Sequence, residues 1–118
     1  MIDSSTNMLL YIEPQNERSK EPLIDDLTRQ MTAALRKSRP GVMINGVFKD
    51  LDSLGSHTCV CGVKSDTKEH MLKDEKTLTN SLCVHYLAWH RFEIPQPELD
   101  KVANLPDEGE EPSALELQ

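Results

Sequence analysis

The segment LCVHYLAW, residues 82–89, is the feature that most restricts how this chain can fold. At about 100° per residue, its apolar side chains point to every side of a helix and leave no polar stripe. A helix that is apolar all round is stable only where neighbouring elements cover most of its surface. The sequence therefore predicts a buried helix here, capped by Asn80 or Ser81 and ending near Phe92.

Two histidines lie in or beside this apolar segment. His85 is its one polar residue apart from the hydroxyl of Tyr86, and His90 follows the segment directly. An unsatisfied polar group inside a protein costs about 1–3 kcal/mol, so each imidazole needs a partner. A single buried histidine usually finds one hydrogen bond within the core. Two of them, in a small domain that also contains a Cys-x-Cys pair, favour a shared site.

The stretch HTCVCG, residues 57–62, supplies the other half of such a site. Its pattern indicates a strand with His57, Cys59 and Cys61 on one face, followed by a turn at Gly62. Thiolate and imidazole are ligands that Zn²⁺ favours, and two of each make a closed tetrahedral site. The sequence predicts a structural zinc ion bound by Cys59, Cys61, His85 and His90.

Two features of the spacing oppose this site. On an ideal helix His85 and His90 diverge by about 140° with a rise of about 7.5 Å, so the helix must unwind locally. In an extended strand the Cα atoms of Cys59 and Cys61 lie about 6.6 Å apart, so their sulfurs converge only if the chain bends. The sequence holds three substitutes for an unsuitable member of the four, namely His57, His70 and Cys83.

Other chemistry for the same residues stays open. Cys59 or Cys61 could be a nucleophile activated by a histidine, or the two thiols could form a redox pair. The sequence has no oxyanion-hole signal, no deaminase pattern and no glycine-rich phosphate loop, so an enzyme is the less favoured alternative. In a third alternative the cysteines are small buried hydrophobic residues of a metal-free interaction domain.

The remaining patterns predict a small single domain of the α+β class. An apolar stripe at helical spacing predicts a first helix from Pro22 to Arg39; its members are Leu23, Leu27, Met31 and Leu35. Asn45-Gly46 predicts a hairpin within residues 42–48, and a second hairpin is predicted to turn at residues 73–76. After the buried helix, a short helix is predicted over residues 97–105.

Charge and composition limit the class of partner. The net charge is −7, and five of the negative charges come from a C-terminal segment without a basic residue. This balance disfavours nucleic acid and leaves a protein, of unknown identity, as the expected partner. Residues 1–20 are predicted to be loosely ordered, residues 21–105 to form the domain and residues 106–118 to be a disordered acidic tail.

The sequence also indicates a compartment. The N-terminus has no basic n-region, and no stretch approaches the ~18 apolar residues of a membrane helix. Three cysteines are an odd number, which disfavours a disulfide framework. We therefore expect a cytoplasmic protein without a membrane partner.

The two motifs together resemble a known group of sequences. HTCVCG followed by TNSLCVHYLAWHR is similar to the His-x-Cys-x-Cys-Gly and His-Tyr-Leu-Ala-x-His elements of a group of short uncharacterised bacterial proteins. The resemblance covers residues 57–103 and implies no activity. It suggests that this part of the chain forms the centre of the domain.

Overall fold

Three helices and two β-sheets make up the computed structural model, which describes residues 7–50 and 56–118. The helices are α1 (Asp26–Arg36), α2 (Cys83–Trp89) and α3 (Gln96–Ala103), with a 3-10 turn at Arg91–Glu93 between the last two. The strands are β1 (Asn7–Met8), β2 (Arg39–Pro40), β3 (Val42–Ile44), β4 (Val47–Lys49), β5 (His70–Met71) and β6 (Thr77–Thr79). The predicted α+β class is confirmed.

The larger sheet has the strand order β1-β6-β5-β2. Strands β5 and β6 form the predicted second hairpin, and β2 pairs antiparallel with β5. Strand β1 lies parallel to β6, with Asn7 opposite Thr77. Beyond β1, Leu9 and Leu10 are fully buried. The loose order expected for residues 1–20, of which 1–6 lie outside the described residues, stays a prediction. Residues 7 and 8 pair with β6, and the N–H of Leu9 donates to the Leu78 carbonyl at 2.9 Å.

Strands β3 and β4 form the hairpin predicted at Asn45-Gly46. Both turn residues have positive φ, 52° for Asn45 and 77° for Gly46, as a two-residue type I′ turn requires. Met43 lies opposite Phe48, and Ile44 lies opposite Val47. This hairpin is confirmed.

Helix α1 begins at Asp26 rather than at Pro22. Asp25 caps it, because its carboxylate accepts a hydrogen bond of 3.2 Å from the Thr28 backbone N–H. The preceding residues run beside α2 instead, where the N–H of Leu23 donates to the Ala88 carbonyl at 2.7 Å. That pairing explains why a predicted first turn at Pro22 does not form.

Helix α2 lies in the core, as predicted. Its residues from Cys83 to Ala88 are all buried. Four of them pack in one cluster with Met31 of α1 and Val102 of α3, namely Cys83, Val84, Tyr86 and Leu87. The N-terminal cap differs from the prediction, because Leu82 occupies the cap position without a side-chain hydrogen bond. Asn80 instead accepts the Leu82 N–H at 2.8 Å and donates to a carbonyl in the N-terminal segment. In the ranges that the structure describes, no helix has the length and apolar character needed to cross a bilayer.

The acidic C-terminal segment lies along α1. Lys37 pairs with Asp107 at 3.5 Å, and Arg36 pairs with Glu110 at 3.0 Å and with Glu116 at 2.5 Å. The disordered acidic tail expected for residues 106–118 stays a prediction. The ion pairs are contacts that the sequence analysis did not consider, because it treated the acidic segment and the basic end of α1 separately.

The ion pair between Asp25 and Arg91 links the start of α1 to the end of α2. Both terminal nitrogens of Arg91 bond the carboxylate, at 2.7 and 2.6 Å. These hydrogen bonds hold the pKa of Asp25 well below its usual range, although partial burial opposes them. Asn is as good a helix cap as Asp, so Asp25→Asn removes the ion pair while keeping the cap.

We expect Asp25→Asn to lower the free energy of unfolding by about 1 kcal/mol at neutral pH, a small effect because solvent screens a partly exposed carboxylate. Asp25→Ala should cost about 1 kcal/mol more through loss of the cap. Because the pKa of Asp25 is lower in the folded protein than in the unfolded chain, its carboxylate stabilises the fold at pH values above the unfolded-state pKa of about 4. The difference in stability between wild type and Asp25→Asn should therefore shrink as the pH falls below about 4. Urea unfolding measures this, with Asp26→Asn as the control; equal losses for both variants would contradict it.

Candidate metal centre

The two cysteines of the centre lie in a tight turn. The N–H of Gly62 donates to the Cys59 carbonyl at 2.8 Å, and the N–H of Cys59 donates to the Val63 carbonyl at 2.8 Å. Gly62 has a φ of 95°, which its lack of a side chain permits. The prediction of a strand with His57, Cys59 and Cys61 on one face is therefore wrong at this point. The turn supplies the bend that lets both sulfurs face one side.

The two histidines lie on α2 and at its end. His85 is in the middle of the helix, and His90 ends it with non-helical angles of φ −129° and ψ 31°. Its N–H still donates to the Tyr86 carbonyl at 2.9 Å. This is the local unwinding that the spacing required, and it brings the two imidazole centroids to 5.1 Å.

The four side chains meet in one cluster. The sulfur of Cys59 lies 3.1 Å from Nε2 of His90, and the sulfur of Cys61 lies 3.3 Å from Nε2 of His85. All four ligand atoms lie within 4.8 Å of one another. With Zn–S near 2.3 Å and Zn–N near 2.0 Å, the edges of a tetrahedral site measure about 3.3–3.8 Å, so small adjustments would accommodate an ion. The cluster could therefore hold a metal ion.

The three substitute residues lie elsewhere. His57 bonds Glu69 through Nε2 at 3.1 Å, and His70 bonds Asp66 through Nε2 at 2.8 Å. Cys83 is fully buried on α2, where burial raises the pKa of its thiol to about 12. Within residues 7–50 and 56–118, the structure brings together only Cys59, Cys61, His85 and His90 as a group with metal-binding geometry.

The outer nitrogens of both imidazoles are buried without a hydrogen bond to the described residues. They are Nδ1 of His85 and Nδ1 of His90. A carboxylate oxygen of Glu93 lies 3.5 Å from the second of these. A metal-bound histidine usually donates its other N–H to such a group. Sequence reasoning missed Glu93, although its position three residues after His90 was a usable signal.

Arg18 is a second residue that sequence reasoning missed. Its Nη2 lies 3.4 Å from the sulfur of Cys61, and its guanidinium lies 4.7 Å from the centre of the Trp89 ring. Nothing in the sequence around Arg18 signals this contact, since 43 residues separate it from Cys61. A cation beside the sulfur favours the thiolate form.

The electrostatics favour the metal-binding form of two of the four donors, Cys61 and His85. Burial raises the pKa of Cys61, but hydrogen bonds from the imidazole side of the cluster, from the Val63 backbone and from Arg18 outweigh it and lower that pKa to about 6. Burial raises the pKa of Cys59. Burial also lowers the pKa of His85 to about 4, and the charge of the nearby Arg18 adds to the effect. A thiolate and a neutral imidazole are the forms that bind metal.

Comparison with protein-family models, with curated proteins and with solved structures finds no match to this chain. The kind of metal ion that the cluster suits is therefore inferred from its four ligand atoms. Two sulfurs and two imidazole nitrogens suit Zn²⁺ and other soft or borderline ions rather than Mg²⁺ or Ca²⁺, which prefer oxygen ligands.

The thiols should differ in reactivity once a chelator has been added. We expect Cys61 to react fastest with iodoacetamide, because its pKa of about 6 makes it a thiolate at neutral pH and it is partly exposed. Its rate should fall as the pH drops through about 6. Cys83 should react slowest. Peptide mapping by mass spectrometry measures the three rates, with Cys61→Ser as the control; Cys83 reacting as fast as Cys61 would contradict the assignment.

Proposed function

We propose that this protein is a small binding protein whose fold is stabilised by a structural zinc ion and which acts through a protein partner. The ligands would be Cys59, Cys61, His85 and His90. The observation that carries the proposal is the mutual distance of their four ligand atoms, at most 4.8 Å. Three of these residues are buried, and the two imidazoles direct Nε2 towards the two sulfurs.

A structural role is favoured over a catalytic one. Catalytic zinc keeps an open position for water or substrate, whereas four protein ligands close the coordination sphere. The ion would join the 59–62 turn to the end of α2, two elements that share no β-sheet. Binding energies for such sites are on the order of 10 kcal/mol and add to the stability of the fold.

The partner and the compartment rest on charge and on the cysteines. A net charge of −7 disfavours a polyanionic partner such as nucleic acid, which supports a protein. The three cysteines are free, as is typical of the reducing cytoplasm, and we propose that compartment.

Elemental analysis of protein purified without a histidine tag tests the zinc ion. We expect about one zinc per chain, and a chelator should lower the unfolding temperature and weaken the near-ultraviolet circular dichroism, because folding and binding are coupled. Cys59→Ser or His90→Ala should abolish stoichiometric zinc.

Two matched controls use residues of the same types outside the cluster. Cys83→Ala and His70→Gln should keep the full zinc content, even if Cys83→Ala loses about 1 kcal/mol of stability from the core. Zinc below ~0.2 per chain, together with unaltered folding in chelator, would refute a structural zinc site.

Glu93 should tune the affinity of the site. If its carboxylate accepts the Nδ1–H of His90, Glu93→Ala should weaken zinc binding by about 10–100-fold, and Glu93→Gln by less, since an amide oxygen still accepts. Competition with a chromophoric chelator measures the affinity. Glu108→Gln, which changes an exposed carboxylate outside the cluster, is the control. Equal affinities for Glu93→Ala and wild type would show that His90 needs no such partner.

A further inference from the structure

A cavity of about 340 Å³ lies between residues 16–23 and the C-terminal end of α2. Its apolar surface comes from Leu23, Ala88, Trp89 and Phe92. Backbone hydrogen bonds fix the two walls, because the N–H of Ser19 donates to the Trp89 carbonyl at 3.0 Å and that of Leu23 to the Ala88 carbonyl at 2.7 Å. The cavity is therefore part of the folded domain and does not have to be opened by a ligand.

Phe92 is the exposed edge of this cavity. Its side chain follows the end of α2 and is 96% exposed, the largest value among the exposed large hydrophobic residues. Two other aromatic rings already have a guanidinium over one face: Arg18 lies over Trp89, and Arg39 lies 3.9 Å from the centre of the Phe48 ring. Across the part of the chain that the structure describes, Phe92 alone among the aromatic residues has neither a ring contact nor a cation over its face.

The lining of the cavity is acidic. Three carboxylates belong to it, those of Glu17, Glu21 and Glu93. Its one strong cation, Arg91, already bonds Asp25 through both terminal nitrogens. The neighbouring Arg18 is directed towards the sulfur of the metal cluster and the carbonyl of residue 118. The residues that line the cavity therefore carry three carboxylates against one guanidinium, a negative balance.

We propose that this cavity binds an arginine side chain within a basic segment of a partner protein. The guanidinium would lie over the free face of Phe92 and pair with the carboxylates of Glu17 and Glu21. Its aliphatic stem would contact Leu23 and Trp89. The inference rests on the proposed function, since it assigns the chemistry of the protein partner named there.

The choice of arginine follows from the lining. A guanidinium is planar and weakly hydrated, so it stacks on an aromatic face better than an ammonium and can bond two carboxylates at once. A guanidinium already lies over an aromatic ring twice within the fold, at Trp89 and at Phe48. Phosphate groups of a membrane or a nucleic acid would meet three carboxylates and be repelled.

Titration of the zinc-loaded protein with labelled Gly-Ser peptides tests the inference. The probe peptide carries several arginines, and matched peptides carry lysine, glutamine or glutamate at the same positions. Fluorescence anisotropy gives the affinity, and amide chemical shifts give the location. We expect the arginine peptide to bind most tightly and to shift the amides of Ser19, Leu23, Ala88 and Phe92. The affinity should fall with added salt.

Variants separate the cavity from general charge attraction. Phe92→Ser should weaken binding of the arginine peptide about threefold to tenfold, and Glu21→Gln by a similar factor. Val47→Ser, an exposed apolar residue on the β3–β4 hairpin, and Glu108→Gln should leave the affinity unchanged. Equal binding of the arginine and glutamine peptides, or shifts confined to the acidic segment after residue 106, would overturn the inference.

The zinc content of each sample distinguishes the two proposals. Stoichiometric zinc with no binding of the arginine peptide refutes the cavity assignment and leaves the structural ion in place. Binding of the peptide at the cavity in protein that holds no zinc refutes the structural ion and supports the cavity.

Discussion

The contact between the 59–62 turn and the end of α2 is the interaction on which the rest of the structure depends. Helix α2 is apolar on all sides, and its two histidines must be buried with it. Each imidazole meets a sulfur at 3.1 or 3.3 Å, so the turn covers the polar part of an otherwise apolar helix. Without that cover, two buried polar side chains would oppose the packing of the core.

The segments around α2 complete this arrangement in different ways. Residues 15–23 satisfy carbonyls at the end of the helix and place Arg18 beside Cys61. Glu93 joins the same two regions, because its carboxylate accepts hydrogen bonds from the N–H groups of Gln15 and Asn16 and lies near His90. The N-terminal segment is thus attached to both the core helix and the edge of the cluster.

Local patterns in the sequence predicted the elements well. The all-round apolar character of residues 82–89 predicted a buried helix, and Asn45-Gly46 predicted its hairpin. The sequence also singled out the four residues that the structure brings together, because buried histidines and a Cys-x-Cys pair both need partners. The turn predicted at Gly62 is present but begins earlier, at Cys59, where the alternation of side chains had predicted a strand.

Contacts between distant residues explain the other differences. Strand β1 depends on β6, some 70 residues later, and the acidic segment depends on Arg29, Arg36 and Lys37 of the first helical region. Neither short apolar runs nor charge runs reveal such partners. Arg18 and Glu93 belong to the same class, because their significance comes from what they contact and not from the residues beside them.

The short chain distance across the cluster has a consequence for the order of assembly. Its two sulfur–nitrogen contacts join residues 24 and 31 positions apart, whereas β1 reaches β6 across 70. Because the entropy cost of loop closure grows with the logarithm of loop length, closing the 70-residue loop costs about 0.7 kcal/mol more than closing the 31-residue one. Only two residue pairs between β1 and β6 offset that cost. Chain entropy therefore favours a local nucleus of the turn and α2, with strand β1 joining it later.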